Sequence, residues 1–286
     1  MTMRRCVRVV LALSAVTALH ASIAGQVPGV PKQYAAGQGV TPVYEGWFRD
    51  GDVLYLSYGY LNLNQREVVS VPVGPENKIE PGAPDQGQPT VFILNRQTGV
   101  FTVRVSKDVE QRLKAEKSMV TWTLTANGKT FSIPANLEPQ YNVNALTDQA
   151  SGNRPPNVAF AAGGPVGVGP QGIRVERTAA VGQPLKLDVY TSDDGIVKVQ
   201  ERPRAGMVAL TWEKFRGPGN VVFSERQPKA VGIGPGKTGH AETTATFSAP
   251  GRYTLWLDAI DQSRRDFQCC WTNAYVDVTV SANSQE

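Results

Sequence analysis

The feature that most constrains this chain is alternation of side-chain character at a period of two. Thr243, Ala245 and Phe247 alternate with Thr244 and Thr246. Tyr253, Leu255, Leu257 and Ala259 then form one face of a following segment, and Val276, Val278 and Val280 one face of the last. Successive side chains of a strand point to opposite faces, so such a pattern predicts strands with one face on a core. The same grammar runs through the first half, over residues 43–48, 53–63, 67–73, 90–94, 99–105, 120–126 and 129–133. Asn127-Gly128 between the last two is the strongest hairpin signal, because Asn-Gly accepts the positive φ of a type I′ turn. The 28 Gly and 20 Pro punctuate the rest. The fold class that follows is all-β, with two β-sandwich domains.

The organisation expected is a signal peptide over 1–24, a flexible lead-in over 25–40 and an N-terminal β-sandwich over 41–148. A Gly/Pro-rich linker follows over 149–172, then a second sandwich over 173–282 and a tail over 283–286. The leader has a basic start (Arg4, Arg5, Arg8), an apolar run over 9–21 and small residues at Ser22 and Ala24, so cleavage before Gly25 is expected. Cys6 lies too early to carry a lipid after cleavage. No later run is long and apolar enough to span a bilayer as a helix. Residues 106–117, with Val109 and Leu113 four apart, read as a short surface helix or loop.

Charge excludes one class of partner. The chain has 29 Lys and Arg against 25 Asp and Glu, and the leader takes three Arg with it. A nearly neutral mature chain has no electrostatic footprint for nucleic acid.

Chemistry-bearing residues are sparse. His20 leaves with the leader, and His240, at the end of the turn-like loop 236–240, reads as a solvated loop residue beside the Gly-rich stretch 232–239. That stretch has a Gly-Lys-Thr, but Val231 stands where a phosphate loop needs its first Gly. Cys269 and Cys270 are adjacent, and an exported chain meets an oxidising compartment. They are candidates for a vicinal disulfide fixing a turn, for buried structural thiols, or for a redox, metal or intermolecular role. Asp193, Asp194, Asp258 and Asp261 are weak candidates for calcium, with Asp266 near them in sequence; turn chemistry is the simpler reading. No other cofactor is expected. Trp47, Tyr55, Tyr58 and Tyr60 cluster in the first two strands and are candidates for a ligand-stacking platform, core packing being the alternative. Trp212, Tyr253, Leu255 and Leu257 are expected in the second core.

Several segments of the second half also resemble a known family. They are Asn153-Arg154-Pro155-Pro156, then 181–187, Ser192-Asp193-Asp194-Gly195, and 246–255 with its Pro250-Gly251-Arg252-Tyr253 turn. Together they resemble bacterial extracellular immunoglobulin-like modules of the polycystic-kidney-disease (PKD) type. The resemblance implies an immunoglobulin-like second sandwich. The family's Trp-x-Phe-Gly-Asp-Gly turn reads here Trp212-Glu213-Lys214-Phe215-Arg216-Gly217-Pro218-Gly219, without the Asp.

The function expected is an exported, non-catalytic binding, adhesion or scaffold protein of the bacterial envelope, periplasmic or secreted. Its partner would be an envelope component, a glycan or a protein. The alternatives are carbohydrate binding by the N-terminal aromatics and a redox or metal role for the cysteine pair.

Overall fold

The computed structural model describes residues 34–116, 120–196, 208–234, 236–261 and 269–282. The expected signal peptide (1–24), the tail (283–286) and Asp266 lie outside the described residues. No helix among the described residues is long and apolar enough to cross a membrane.

The chain is all-β and folds as β-sandwiches. The first half comprises β1 (Val40–Asp50), β2 (Val53–Asn62), β3 (Val69–Ser70), β4 (Asn77–Glu80), β5 (Val91–Phe92), β6 (Asn95–Val105), helix α1 (Lys107–Glu116), β7 (Val120–Ala126) and β8 (Lys129–Ala135). One sheet has the order β1-β2-β6, a second β4-β7-β8, and β3 pairs β5. Asn127 and Gly128 join β7 to β8 with φ of 50° and 72°, the two positive values a type I′ turn requires. Leu54, Leu56 and Tyr58 of β2 meet Phe101 of β6 and Trp122 and Leu124 of β7 in the core, and α1 closes it with Leu113.

Residues 74–89, which fall between two of the segments read as strands, contain a strand of their own, β4. Its Asn77 is fully buried. The side-chain amide donates to the carbonyls of Val71 (3.0 Å) and Pro89 (2.8 Å) and accepts from Trp122 Nε1 (3.0 Å). A buried amide with its bonds made can hold a polar segment inside a core. The described end of the lead-in, 34–39, is likewise tied down, with Gln38 N–H donating to Asn64 Oδ1 at 2.7 Å.

The second half comprises β9 (Asn157–Ala159), β10 (Ile173–Ala180), β11 (Leu185–Ser192), β12 (Ala209–Arg216), β13 (Val221–Phe223), β14 (Gly239–Phe247), β15 (Gly251–Ile260) and β16 (Trp271–Ser281). Its sheets have the orders β10-β16-β15-β12 and β13-β14-β11-β9. β9 falls in the stretch read as a linker. Trp212, Tyr253, Leu255 and Leu257 are buried in the core between the two sheets, with Val276, Val278 and Val280. Tyr253 also donates its hydroxyl to Ala249 O at 2.7 Å and accepts from Gly219 N–H at 3.0 Å.

The two halves are not beads on a string. The described residues form one compact unit, and the sheet β10-β16-β15-β12 is covered on both faces. Its odd-numbered β15 residues enter the second core, while Trp256, Tyr275 and Phe215 on the other face belong to the core of the first half. That is why the middles of β15 and β16 are buried at consecutive positions rather than alternately.

Polar bonds pin this contact at Gly99. Its carbonyl accepts from Trp271 Nε1 (3.1 Å) and Asn273 Nδ2 (2.8 Å), and its N–H donates to Glu45. Tyr275 donates its hydroxyl to Val100 O at 2.8 Å. At the far edge Arg216 grips Asp85 through two bonds of 2.7 and 2.8 Å, and Thr90 N–H donates to Phe215 O. The Arg216 guanidinium holds the Asp85 carboxyl below its ordinary pKa, against the opposing effect of burial.

Candidate functional site

A polar cluster is buried where β11 and β15 end. Ser192 closes β11 and Asp193 follows it; Ile260 closes β15 and Asp261 follows it. Asp193 is 7 % exposed and Asp261 5 %. The residues before β9 join them: Asn153 Nδ2 donates to Asp261 Oδ2 at 2.7 Å, and the next residue, Arg154, donates its N–H to Asp194 Oδ2 at 3.0 Å. Asp193 Oδ2 accepts from Gly195 N–H at 2.9 Å. Its Oδ1, and the Oδ1 of the fully buried Asn153, have no hydrogen-bond partner. Burial pushes the Asp193 carboxyl up to about 6, and the neighbouring Asp261 and Asp194 charges add to the rise.

Two of the four carboxylates read as calcium candidates, Asp193 and Asp261, are thus buried and near enough for their charges to interact, and Asp194 binds the residue next to Asn153. Asp258 points to the other side of β15, the face that carries Trp256. Asn153 was not among the candidate ligands. Its motif, Asn-Arg-Pro-Pro, marked the start of a module, and no local pattern reveals that its side chain reaches residue 261.

Cys269 and Cys270 are joined by a disulfide. They are 2 % and 0 % exposed and lie against the Asn153 carbonyl, with sulfur–oxygen distances of 3.9 and 3.6 Å. The bridge therefore packs beside the carboxylate cluster and immediately precedes Trp271, the residue that reaches Gly99.

Two of the four aromatics expected in a ligand platform, Tyr58 and Tyr60, are core residues instead. Tyr58 is 0 % and Tyr60 2 % exposed. Tyr58 stacks on Phe101 and meets Trp122 edge-on; Tyr60 meets Phe92 edge-on. Burial raises both phenol pKa values well above the ordinary one. These rings fill the core and offer no face to a ligand. The even positions of β2 turned out to be the core face throughout. Trp47 and Tyr55 are half-buried. Trp47 donates Nε1 to Glu138 O at 3.1 Å and lines a groove of about 280 Å³ with Arg49, Asn142 and Asn144, while Tyr55 stacks on Phe48.

His240 was read as a solvated loop residue; it sits in strand β14. It stacks on Tyr190 with ring centroids 4.6 Å apart, and its Nε2 lies 2.8 Å from Asp188 Oδ1. The pair borders a cleft of about 420 Å³ with Asn157, Ser192 and Thr238. Asp188, His240 and Glu242 bring their ligand atoms within 4.8 Å of one another. The Lys186 ammonium lies 3.1 Å from both carboxylates and supplies their counter-charge. Burial opposes ionisation of Asp188, but the bonds from His240 and Lys186 hold its pKa below the ordinary value.

No protein family and no curated protein matches the chain. Among solved structures, domains 4 and 5 of the S-layer protein SbsC align over 65 % of this chain and 85 % of theirs, at 15 % identity and TM-score 0.23. The fibronectin(III)-like modules of Clostridium thermocellum CbhA align over 81 % and 88 %, at 12 % identity and TM-score 0.26. A protein of unknown function from Porphyromonas gingivalis W83 aligns over 85 % and 100 %, at 11 % identity and TM-score 0.24.

Proposed function

We propose that this chain is an exported, non-catalytic binding or scaffold protein of the bacterial envelope. The observation that carries the reading is the sheet buried on both faces. It fuses two sandwiches into one body, and Trp122, Trp212, Trp271, Tyr58, Tyr60 and Tyr253 are spent on its cores and on the contact between halves. Such a body holds two surfaces at a fixed distance, which suits a spacer or adhesion module. The leader motif at the start of the sequence supports export. The buried disulfide supports an oxidising compartment, and its burial favours a structural role for the bridge over a redox one.

The test is co-sedimentation of the purified chain, starting at Gly25, with envelope and polysaccharide fractions of its host. The reading expects retention in the pellet with at least one fraction, competed by that fraction in soluble form. Recovery in the supernatant with every fraction would overturn it.

A second reading is carbohydrate binding at the groove beside Trp47, favoured by a half-buried indole flanked by Arg49 and two Asn side chains. Trp47→Ala would then abolish retention by polysaccharide while leaving the unfolding transition in place. Unchanged retention removes this reading.

A further inference from the structure

The buried polar cluster between the ends of β11 and β15 holds two oxygen acceptors without a donor. Asp193 and Asp261 bring two carboxylates into a region where each is more than nine-tenths buried. Asn153 donates an amide hydrogen bond to Asp261, which leaves its carbonyl oxygen in the same cluster, within ~5 Å of that carboxylate by amide geometry. That oxygen and Asp193 Oδ1 are both buried and both without a partner. A buried acceptor without a donor is rare in a folded protein, because it has given up water for nothing. Two such acceptors, one of them a carboxylate oxygen, are satisfied together by a cation that takes oxygen ligands.

We infer that Asp193, Asp261 and the side-chain carbonyl of Asn153 hold a calcium ion. Every available donor is oxygen, which suits a hard cation; the two sulfurs nearby are joined to each other and are not thiolates. The donors come from loop ends in irregular geometry, which Ca²⁺ accepts and Mg²⁺, demanding a near-ideal octahedron, does not. Waters and backbone carbonyls complete the shell. The ion ties three segments together: the end of β11 in one sheet, the end of β15 in the other, and the stretch that leads from the first sandwich into the second. It acts as a clamp where the halves join, and it goes beyond the scaffold role proposed above without depending on it.

The test uses the full chain from Gly25, chelated with EGTA and then titrated with CaCl₂ or MgCl₂, with thermal unfolding followed by tryptophan fluorescence and binding by calorimetry. Affinity in the range of extracellular modules, a Kd of ~10⁻⁴–10⁻³ M, is expected. Saturating calcium should raise Tm by about 3–6 °C, and magnesium by much less. Asp193→Asn and Asn153→Ala should each weaken calcium binding at least ~10-fold, the first having lost the charge of its ligand and the second its ligand oxygen. Asp258→Asn, on the opposite face of β15, should respond as the unaltered chain does. Asp193→Asn removes a charge from a buried site, so it should fold in EGTA at least as well as the unaltered chain. The inference is overturned if about 10 mM calcium leaves Tm unchanged, if magnesium matches calcium, or if Asp193→Asn keeps the full calcium response.

Discussion

Replacing Gly99 with Ala probes the contact between the two halves at its tightest point. Gly99 has φ of 58°, and a Cβ built on it would stand 2.4 Å from the Cε2 and Cζ2 atoms of Trp271 and 2.6 Å from Nε1. The left-handed backbone costs an Ala ~1–2 kcal/mol. The collision cannot be relieved by a flexible side-chain tip, because the obstacle is a buried indole, and overpacking of this kind costs ~1–3 kcal/mol. Moving the indole also weakens the bonds from Trp271 and Asn273 to the Gly99 carbonyl, at ~1 kcal/mol each. The expected loss is therefore ~3–5 kcal/mol, given partial relaxation. Gly128→Ala is the control. It has nearly the same backbone, φ of 72°, but nothing lies within 4 Å of its Cβ, so ~1–2 kcal/mol is expected from the conformational effect alone. Equilibrium urea unfolding of both variants, followed by fluorescence and far-ultraviolet circular dichroism, gives the difference directly. Equal losses in the two variants would refute the reasoning, since the backbone effect would then be the whole effect and the contact with Trp271 would carry no energy.

Other outcomes follow from the same geometry. Tyr58→Ala, at a fully buried ring packed on Phe101 and Trp122, should cost ~3–5 kcal/mol, so that denaturant unfolding rather than a binding assay registers it. Tyr275→Phe removes the hydroxyl bond to Val100 O while keeping the ring, and should cost ~1–2 kcal/mol in the same assay. In EGTA, Asp193 should make stability fall as pH rises. Its folded pKa is raised to about 6 from 3.8, so the folded chain binds the extra proton between those values and loses that advantage above them. Asp193→Asn should flatten the Tm profile between pH 4 and pH 6, and an unchanged slope would count against the buried carboxylate. The bridge Cys269–Cys270 closes no long loop, so a Cys269→Ala, Cys270→Ala double variant should lose far less than the ~2–5 kcal/mol typical of a native disulfide. In the native chain both sulfurs should resist thiol reagents, and two thiols should appear after denaturing reduction.

What could be read from the sequence was whatever one strand's own pattern determines. The alternation at Tyr253, Leu255 and Leu257 identified a core face, and Asn127-Gly128 identified a hairpin, because both signals are local. What lay hidden depends on residues far apart in the chain. Strand β4 is held inside by the Asn77 amide, which reads as a loop residue until Val71, Pro89 and Trp122 surround it. Tyr58 and Tyr60 looked available for a ligand because apolar groups fall on both sides of β2; which side meets Trp122 is decided by sheet packing. Trp256 and Tyr275 occupy the positions that alternation assigns to solvent. They are buried because a second sandwich covers that face, and nothing in the pattern of a single strand announces a second layer. Asn153 is the sharpest case, since its role rests on a bond to a residue 108 positions away.

Two halves that share one core contact should unfold as a single body, and differential scanning calorimetry of the chain from Gly25 measures whether they do. The shared sheet predicts one transition, with calorimetric and van't Hoff enthalpies equal, displaced as a whole to lower temperature by Gly99→Ala. Two separable transitions, or a Gly99→Ala displacement confined to one of them, would contradict it.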